Sequence, residues 1–234
     1  MTKSQCSFPG LTGNQLKLLA LLSMTLDHIG VQLFPQATFL RIAGRIALPL
    51  FAYMIAEGCQ YTRSRSRYLM SIAALGIVCQ LVYFFAMGSL YQCILITFSL
   101  SICLIFLLDH ARKKGNLLWL LVSFSALALA WFLSEGLPGL LPGTDYAIDY
   151  GFWGILLPVL IYVGKDRHQR LLFTAVGLLC LCLTSGGIQW FCLASLPLLA
   201  LYNGTRGKRK MKYLFYIYYP THLVVIYLLS FLIK

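Results

Sequence analysis

Residues 16–34 read LKLLALLSMTLDHIGVQLF. The run is long and apolar enough to cross a bilayer as a helix. It nevertheless carries Lys17 near its start, and Asp27 and His28 well inside. Ionisable groups at membrane depth are costly and normally face a bundle interior or a wet cavity. The next apolar run adds Arg41, Arg45 and Glu57. Whatever this chain folds into must give those six side chains partners or water.

The chain of 234 residues is 59% hydrophobic and only 11% charged. Soluble domains carry about 25% charge, so the composition predicts an all-α, polytopic membrane helix bundle forming a single integral-membrane domain over residues 1–234. About nine apolar segments are expected, at 16–34, 38–60, 68–88, 91–109, 117–134, 148–164, 171–185, 187–202 and 211–233. Gly186-Gly187 is the weakest boundary, and merging its flanks leaves eight. Fourteen of the 19 basic residues fall after segments two, four, six and eight, from Arg63, Arg65 and Arg67 to Arg206, Lys208, Arg209, Lys210 and Lys212. Lys3 joins them on the same side, and Lys234 stands alone on the other. Basic residues collect in cytoplasmic loops, so the amino terminus is expected in the cytoplasm and, with nine crossings, the carboxyl terminus outside.

The net charge of +12 then reflects topology rather than nucleic-acid binding, for which no soluble segment is long enough to build a basic surface. The eight cysteines form no CxxC pair and lie mostly in apolar runs, so neither a disulfide framework nor metal ligation is expected. No cleavable signal peptide and no internal repeat is expected. The long outer loop from Ser134 to Ala147, with Glu135 and Asp145 inside it and Asp149 just beyond, reads equally as a cap on the outer face or a solvated connector. Arg63, Arg65 and Arg67 read either as topology and lipid contacts or as ligands for the phosphates of a nucleotide-like cofactor.

Taking segments one and two as an antiparallel hairpin turning near Pro35-Gln36 puts Asp27 level with Arg45 and one turn from Arg41. The same pairing puts Lys17 near the depth of Glu57. Buried charges need such partners. Lys17 and His28 lie eleven residues apart on one helix face, with a rise of about 16 Å between them. Asp27 points about 100° away from His28, so its expected role is to anchor Arg45. Pro49 removes a backbone hydrogen bond and bends the second helix, which offers a way to bring Glu57 around. In the last segment, Tyr219-Pro-Thr-His222 places a second imidazole near mid-membrane. That histidine is either functional or a neutral ring bonded to a neighbouring hydroxyl. Functionally, His28 is a candidate base for an acceptor hydroxyl or amine, and Arg41 or Arg45 a candidate oxyanion stabiliser. The column from Lys17 to His28 would be a polar path inward. The competing reading is a charged zipper that only holds helices together.

The stretches LKLLALLSMTLDHIG, LRIAGRIALPLFAYMIAEG and YTRSRSRYL resemble the TraX family, and the likeness continues at Asp149-Tyr-Gly-Phe-Trp-Gly154 and YYPTHL. The founding type of that family is a conjugative pilin acetylase in the bacterial inner membrane. A wider resemblance is to membrane acyltransferases that carry a basic residue, ten intervening residues and a histidine in the first helix, as Lys17 and His28 do, and an arginine pair nearby, matched by Arg41 and Arg45. These resemblances imply an acetyltransferase that draws on cytosolic acetyl-CoA, with His28 catalytic and Arg63 to Arg67 serving the donor. They leave the acceptor open among a pilin amine and a sugar, lipid or peptidoglycan hydroxyl. Two other functions fit the same residues: a proton-coupled transporter relaying through Asp27, His28 and Glu57, and a non-enzymatic assembly factor for a secretion or conjugation complex.

Overall fold

The computed structural model describes residues 10–207 and 212–233. Lys3, Cys6, Lys208, Arg209, Lys210 and Lys234, which the loop-charge argument or the cysteine count used, lie outside the described residues. The helices are α1 (Gly13–Gln32), α2 (Thr38–Gly44), α3 (Ala47–Tyr61), α4 (Arg65–Met87), α5 (Ile94–Lys114), α6 (Leu117–Trp131), α7 (Leu137–Leu140), α8 (Gly151–Val163), α9 (Arg167–Ser185), α10 (Ser195–Ala200) and α11 (Lys212–Ile233). A wide π turn, Phe132–Gly136, joins α6 to α7, and a tight 3-10 stretch, Gly187–Ala194, leads into α10. Each expected apolar segment thus becomes one helical stretch, continuous or broken.

Among the described residues, five of these stretches are long and apolar enough to span a membrane: 38–61, 65–87, 94–114, 117–140 and 167–185. The stretches 151–163, 187–200 and 216–232 are apolar but shorter. Helix α1, with its three ionisable groups, is not among the five. Gly186, at φ 63°, separates α9 from the 3-10 stretch, which folds back against α9.

Helix α3 is the hub. Ten of its 15 residues are buried, on every side, and it packs against α1, α5 and α8. A helix apolar all round belongs at the centre of a bundle. Helix α6 is its opposite. Only Ala130 is buried, while Leu117, Leu118, Leu120, Leu121 and Phe124 are exposed. An apolar face of that extent is unstable against water and suits hydrocarbon.

Segment two does not bend at Pro49. It breaks four residues earlier, at Arg45–Ile46, between α2 and α3. The missing proline N–H is the one that would bond the Arg45 carbonyl, so the ladder fails there and Pro49 sits in the first turn of α3, where it is tolerated. Ser23 of α1 repairs the breach: its hydroxyl lies 2.6 Å from the Ala43 carbonyl and 3.0 Å from that of Gly44.

At the opposite end, Thr12 and Gln15 form a reciprocal capping box on α1. Two more of the orphan amides of α1, on Gly13 and Asn14, donate to the carbonyls of Thr205 and Arg206. Leu11 pairs with residues 201–203 beside them. The start of α1 and the loop after α10 therefore lie on one side of the bundle.

The segment expected as a loop from Ser134 to Ala147 is helical as far as Leu140 and is pinned beyond it. The Asp145 carboxylate accepts from the Ser89 hydroxyl at 2.5 Å and the Leu90 amide at 2.8 Å. Those two bonds, the Ser89 one foremost, hold it below the usual carboxylate range. Gln92 exchanges backbone bonds with Ala147 and Asp149, and Glu135 caps α8 by accepting the Phe152 amide at 2.9 Å. These bonds tie the segment to the start of α5 and to α8.

Candidate functional site

The polar residues of the bundle gather into three groups. The first is a clamp where α1 crosses α2. Arg45 donates to the Asp27 carboxylate, to the Arg41 carbonyl at 3.2 Å and to Gln189 of the 3-10 stretch at 3.3 Å. Its guanidinium also lies 5.8 Å from the centre of the Tyr150 ring. Arg41 approaches the same carboxylate oxygen at 3.8 Å. The pairing expected from the hairpin is present, but Arg45 is engaged on every side, so its geometry is that of a clamp. Gly44 makes it possible, since a Cβ there would fall on Asp27. Tyr150 reaches under Arg45 from a left-handed backbone, φ 60°, rare for an aromatic residue. Asp149 next to it accepts from the Tyr91 hydroxyl at 2.6 Å.

The second group is a pair of imidazoles. His28 of α1 and His222 of α11 meet edge to face, with ring centres 5.1 Å apart. His222 is buried, stacked on Tyr218 at 5.3 Å and edge-on to Tyr219 at 5.4 Å. Its Nδ1 faces the Tyr218 carbonyl at 3.1 Å. A carbonyl only accepts, so the proton sits on Nδ1 and the lone pair on Nε2, which is buried with no protein partner. The partner is thus a backbone carbonyl, not the hydroxyl anticipated. Tyr218 is fixed in turn: its hydroxyl lies 2.7 Å from that of Thr25, which donates to the Leu21 carbonyl. Between α1, α4 and α11, His28 borders a small cavity of about 30 Å³ with Gln32 and Tyr83.

The third group surrounds a cavity of about 650 Å³ between α1, α3, α4, α5 and α11. Its mouth carries Lys17, Arg63, Arg67 and Arg206 together with Asn14, Glu57 and Ser64. Deeper in, the walls are Leu21, Phe51, Met54, Leu75, Phe98 and Tyr219. Glu57 faces this mouth and not the arginines of α2. The Tyr202 hydroxyl holds its carboxylate, at 2.6 and 2.8 Å from the two oxygens. Lys17 and Glu57, placed near one depth by the hairpin, share the cavity. Arg65 departs from the expected arginine trio. It pairs with Asp109 of α5, which also accepts from Tyr162 at 2.7 Å, and it lies over the Phe106 ring at 4.9 Å. Residues 65 and 67 sit about 200° apart around α4, so one cannot follow the other into the cavity.

The expected polar path from Lys17 to His28 is therefore divided. Lys17 opens on the large cavity, His28 on the small one, and Tyr219 with His222 stands between them.

A family model described as TraX protein matches residues 12–230. The chain belongs to the TraX family. Among curated relatives of this TraX family member, a probable fimbrial assembly protein FimC, serogroup H1, of Dichelobacter nodosus is 26% identical across 91% of this chain and 93% of its own length. An uncharacterized protein of Rickettsia prowazekii (strain Madrid E) is 27% identical across 67% of this chain and 57% of its own length. No solved structure matches. The TraX match runs through all three polar groups, from Lys17 to His222.

Several residues that build the site carry no sequence signal strong enough to single them out. Tyr202 reads as an apolar-run aromatic yet positions Glu57. Ser23 reads as a small helix residue yet seals the α2–α3 break. Arg206 reads as one of five basic loop residues, and the bonds from Gly13 and Asn14 to its loop hold it at the cavity mouth. Arg170, expected to set topology, is buried and bonded to Gln60 and the Gly164 carbonyl. Among the described residues there is no cluster of metal-binding side chains.

Proposed function

We propose that this TraX family member is an acetyltransferase of the bacterial cytoplasmic membrane, a single integral-membrane domain with a cytoplasmic amino terminus and nine crossings. It moves acetyl from cytosolic acetyl-CoA to a hydroxyl or amine acceptor in or across the bilayer. The observation that carries this reading is the large cavity, with four cationic side chains at its mouth and apolar walls inside. Phosphates of the donor suit the arginines and the lysine, and an uncharged thioester arm suits the interior. The loop-charge rule puts that mouth on the cytoplasmic side, where acetyl-CoA is made.

In this mechanism the acceptor O–H or N–H attacks the thioester carbonyl. The new C–O or C–N bond forms as the C–S bond breaks, and the His28–His222 pair takes the acceptor's proton and returns it to the departing thiolate. The partnerless Nε2 of His222 supports the base role, because its tautomer leaves a lone pair free. Asp27 and Arg45 hold the helices that carry the histidine, and Arg41, beside Asp27 at the same clamp, lines neither cavity. The fimbrial assembly relative supports an acceptor in pilus assembly, such as a pilin amino terminus, ahead of a cell-envelope glycan.

Labelled acetyl-CoA given to the purified protein with membrane extract tests this directly. Label should pass to an envelope component, and the His28→Ala and His222→Ala variants should lose that transfer. Transfer at wild-type rate by both variants overturns the mechanism. Flux of protons without any acyl donor would favour the transporter reading, but Asp27, its expected relay, is held by two arginines.

A further inference from the structure

The depth of the large cavity and what closes it say which acyl donors fit. Helix α4 runs along its wall from Arg67 at the mouth through Ser71 and Ile72 to Leu75. From Arg67 to Leu75 the rise is about 12 Å. The other walls agree on direction. Lys17 lies at the mouth of α1 and Leu21 one turn deeper, and on α11 Tyr216 precedes Tyr219. Tyr219, Leu75, Leu95 and Ile94 line the inner part of the cavity, with Leu95 level with Gly76 of α4, and Tyr219 is itself buried, at 7% exposure. Beyond its ring lie His222 and, past that, His28.

We propose that Tyr219 is a chain-length stop, so that the site takes a short acyl thioester and refuses long ones. The inference rests on the acetyltransferase reading. With the donor's phosphates at the arginines, the extended arm uses up the depth of the cavity, and the thioester arrives against Tyr219 and the imidazole behind it. A two-carbon acyl group ends there. A longer chain would have to occupy the space of the Tyr219 ring or displace His222.

The test compares binding of acetyl-, butyryl- and octanoyl-CoA to the full chain in lipid nanodiscs, for wild type, Tyr219→Ala, Tyr219→Phe and Leu75→Ala. Wild type and Tyr219→Phe should prefer acetyl- over octanoyl-CoA at least tenfold. Tyr219→Ala should cut that ratio about tenfold by gaining affinity for the long donors. Leu75→Ala, which widens the same end without touching α11, should shift the ratio the same way and keeps the test valid if Tyr219→Ala does not fold. Should the wild type bind octanoyl-CoA as well as acetyl-CoA, or should neither widening variant that folds move the ratio, Tyr219 is not a stop. Failure of the wild type to bind any acyl-CoA would instead sink the acetyltransferase reading itself, and the stop with it.

Discussion

His28 and His222 come from opposite ends of the chain and meet ring edge to ring face, 5.1 Å apart at their centres. Each is carried by a helix whose position is fixed by other residues: α1 by the Asp27–Arg45 clamp, α11 by the bond of Tyr218 to Thr25. With the rings held this way, a buried lone pair without a protein partner on His222 Nε2 is a property of the scaffold.

Loss of either imidazole should therefore remove chemistry and leave the fold. His28→Ala and His222→Ala are each expected to lower acetyl transfer by about a hundredfold to ten-thousandfold, the usual range for a general base. Thermal unfolding in detergent should stay near that of wild type. A variant that melts early would show that the ring was packing rather than catalysis.

The clamp should behave in the opposite way. The Arg45 side chain is 9% exposed and Asp27 is 19% exposed. Removing one partner of a buried pair leaves an uncompensated charge and costs about 3–5 kcal/mol. Asp27→Ala should thus destabilise strongly, and Asp27→Ala combined with Arg45→Leu should recover a large part of the loss. A double variant no better than the single one would mean that Arg45 is held mainly by Gln189 and Tyr150.

Gly44→Ala tests the same crossing through packing alone. The added methyl would meet the Asp27 side chain, and overpacking of this kind costs about 1–3 kcal/mol. Unchanged stability would show that α1 can slide away from α2.

The three arginines after α3 should separate. Arg63→Ala and Arg67→Ala, at the cavity mouth, are expected to weaken acetyl-CoA binding about tenfold to a hundredfold each, since a charge-assisted hydrogen bond contributes about 1.5–3 kcal/mol. The loss should shrink at high salt. Arg65→Ala should leave donor binding intact and loosen α4 from α5, because its partner is Asp109. Equal losses for all three would argue for a diffuse field over a shaped site.

The hydrophobic runs and the pairings of their charges were legible in the sequence because each rests on a large penalty. An ionised group in an apolar helix must find a partner, and hairpin geometry left Asp27 few besides Arg45 and Arg41. Rotation about helix axes was not legible, since no comparable penalty decides whether Arg65 or Arg67 turns inward. Asp109 settles that, 44 residues on along the chain. Nor could Pro49 alone say where the second helix breaks; the breach lies at Arg45, where Ser23 can satisfy the freed carbonyls and Gly44 lets α1 approach. The division of the Lys17–His28 column depends on one aromatic ring of α11, and the spacing within α1 contains nothing about it.

Acid should release the loop after α7 before the bundle. The Ser89 and Leu90 bonds favour the ionised form of Asp145 and lower its affinity for a proton in the folded state. A group held below its ordinary value stabilises the fold above the ordinary carboxylate range and loses that contribution as pH falls through the lowered value. Hydrogen exchange of residues 88–92 and 144–149 should therefore quicken as pH drops below that range, after correction for the intrinsic rate. Asp145→Asn should show the faster exchange already at neutral pH and little further acid response. If exchange in the two segments responds to acid identically in wild type and Asp145→Asn, the loop is held by the Gln92 backbone pairing and by Glu135 at α8 rather than by this carboxylate.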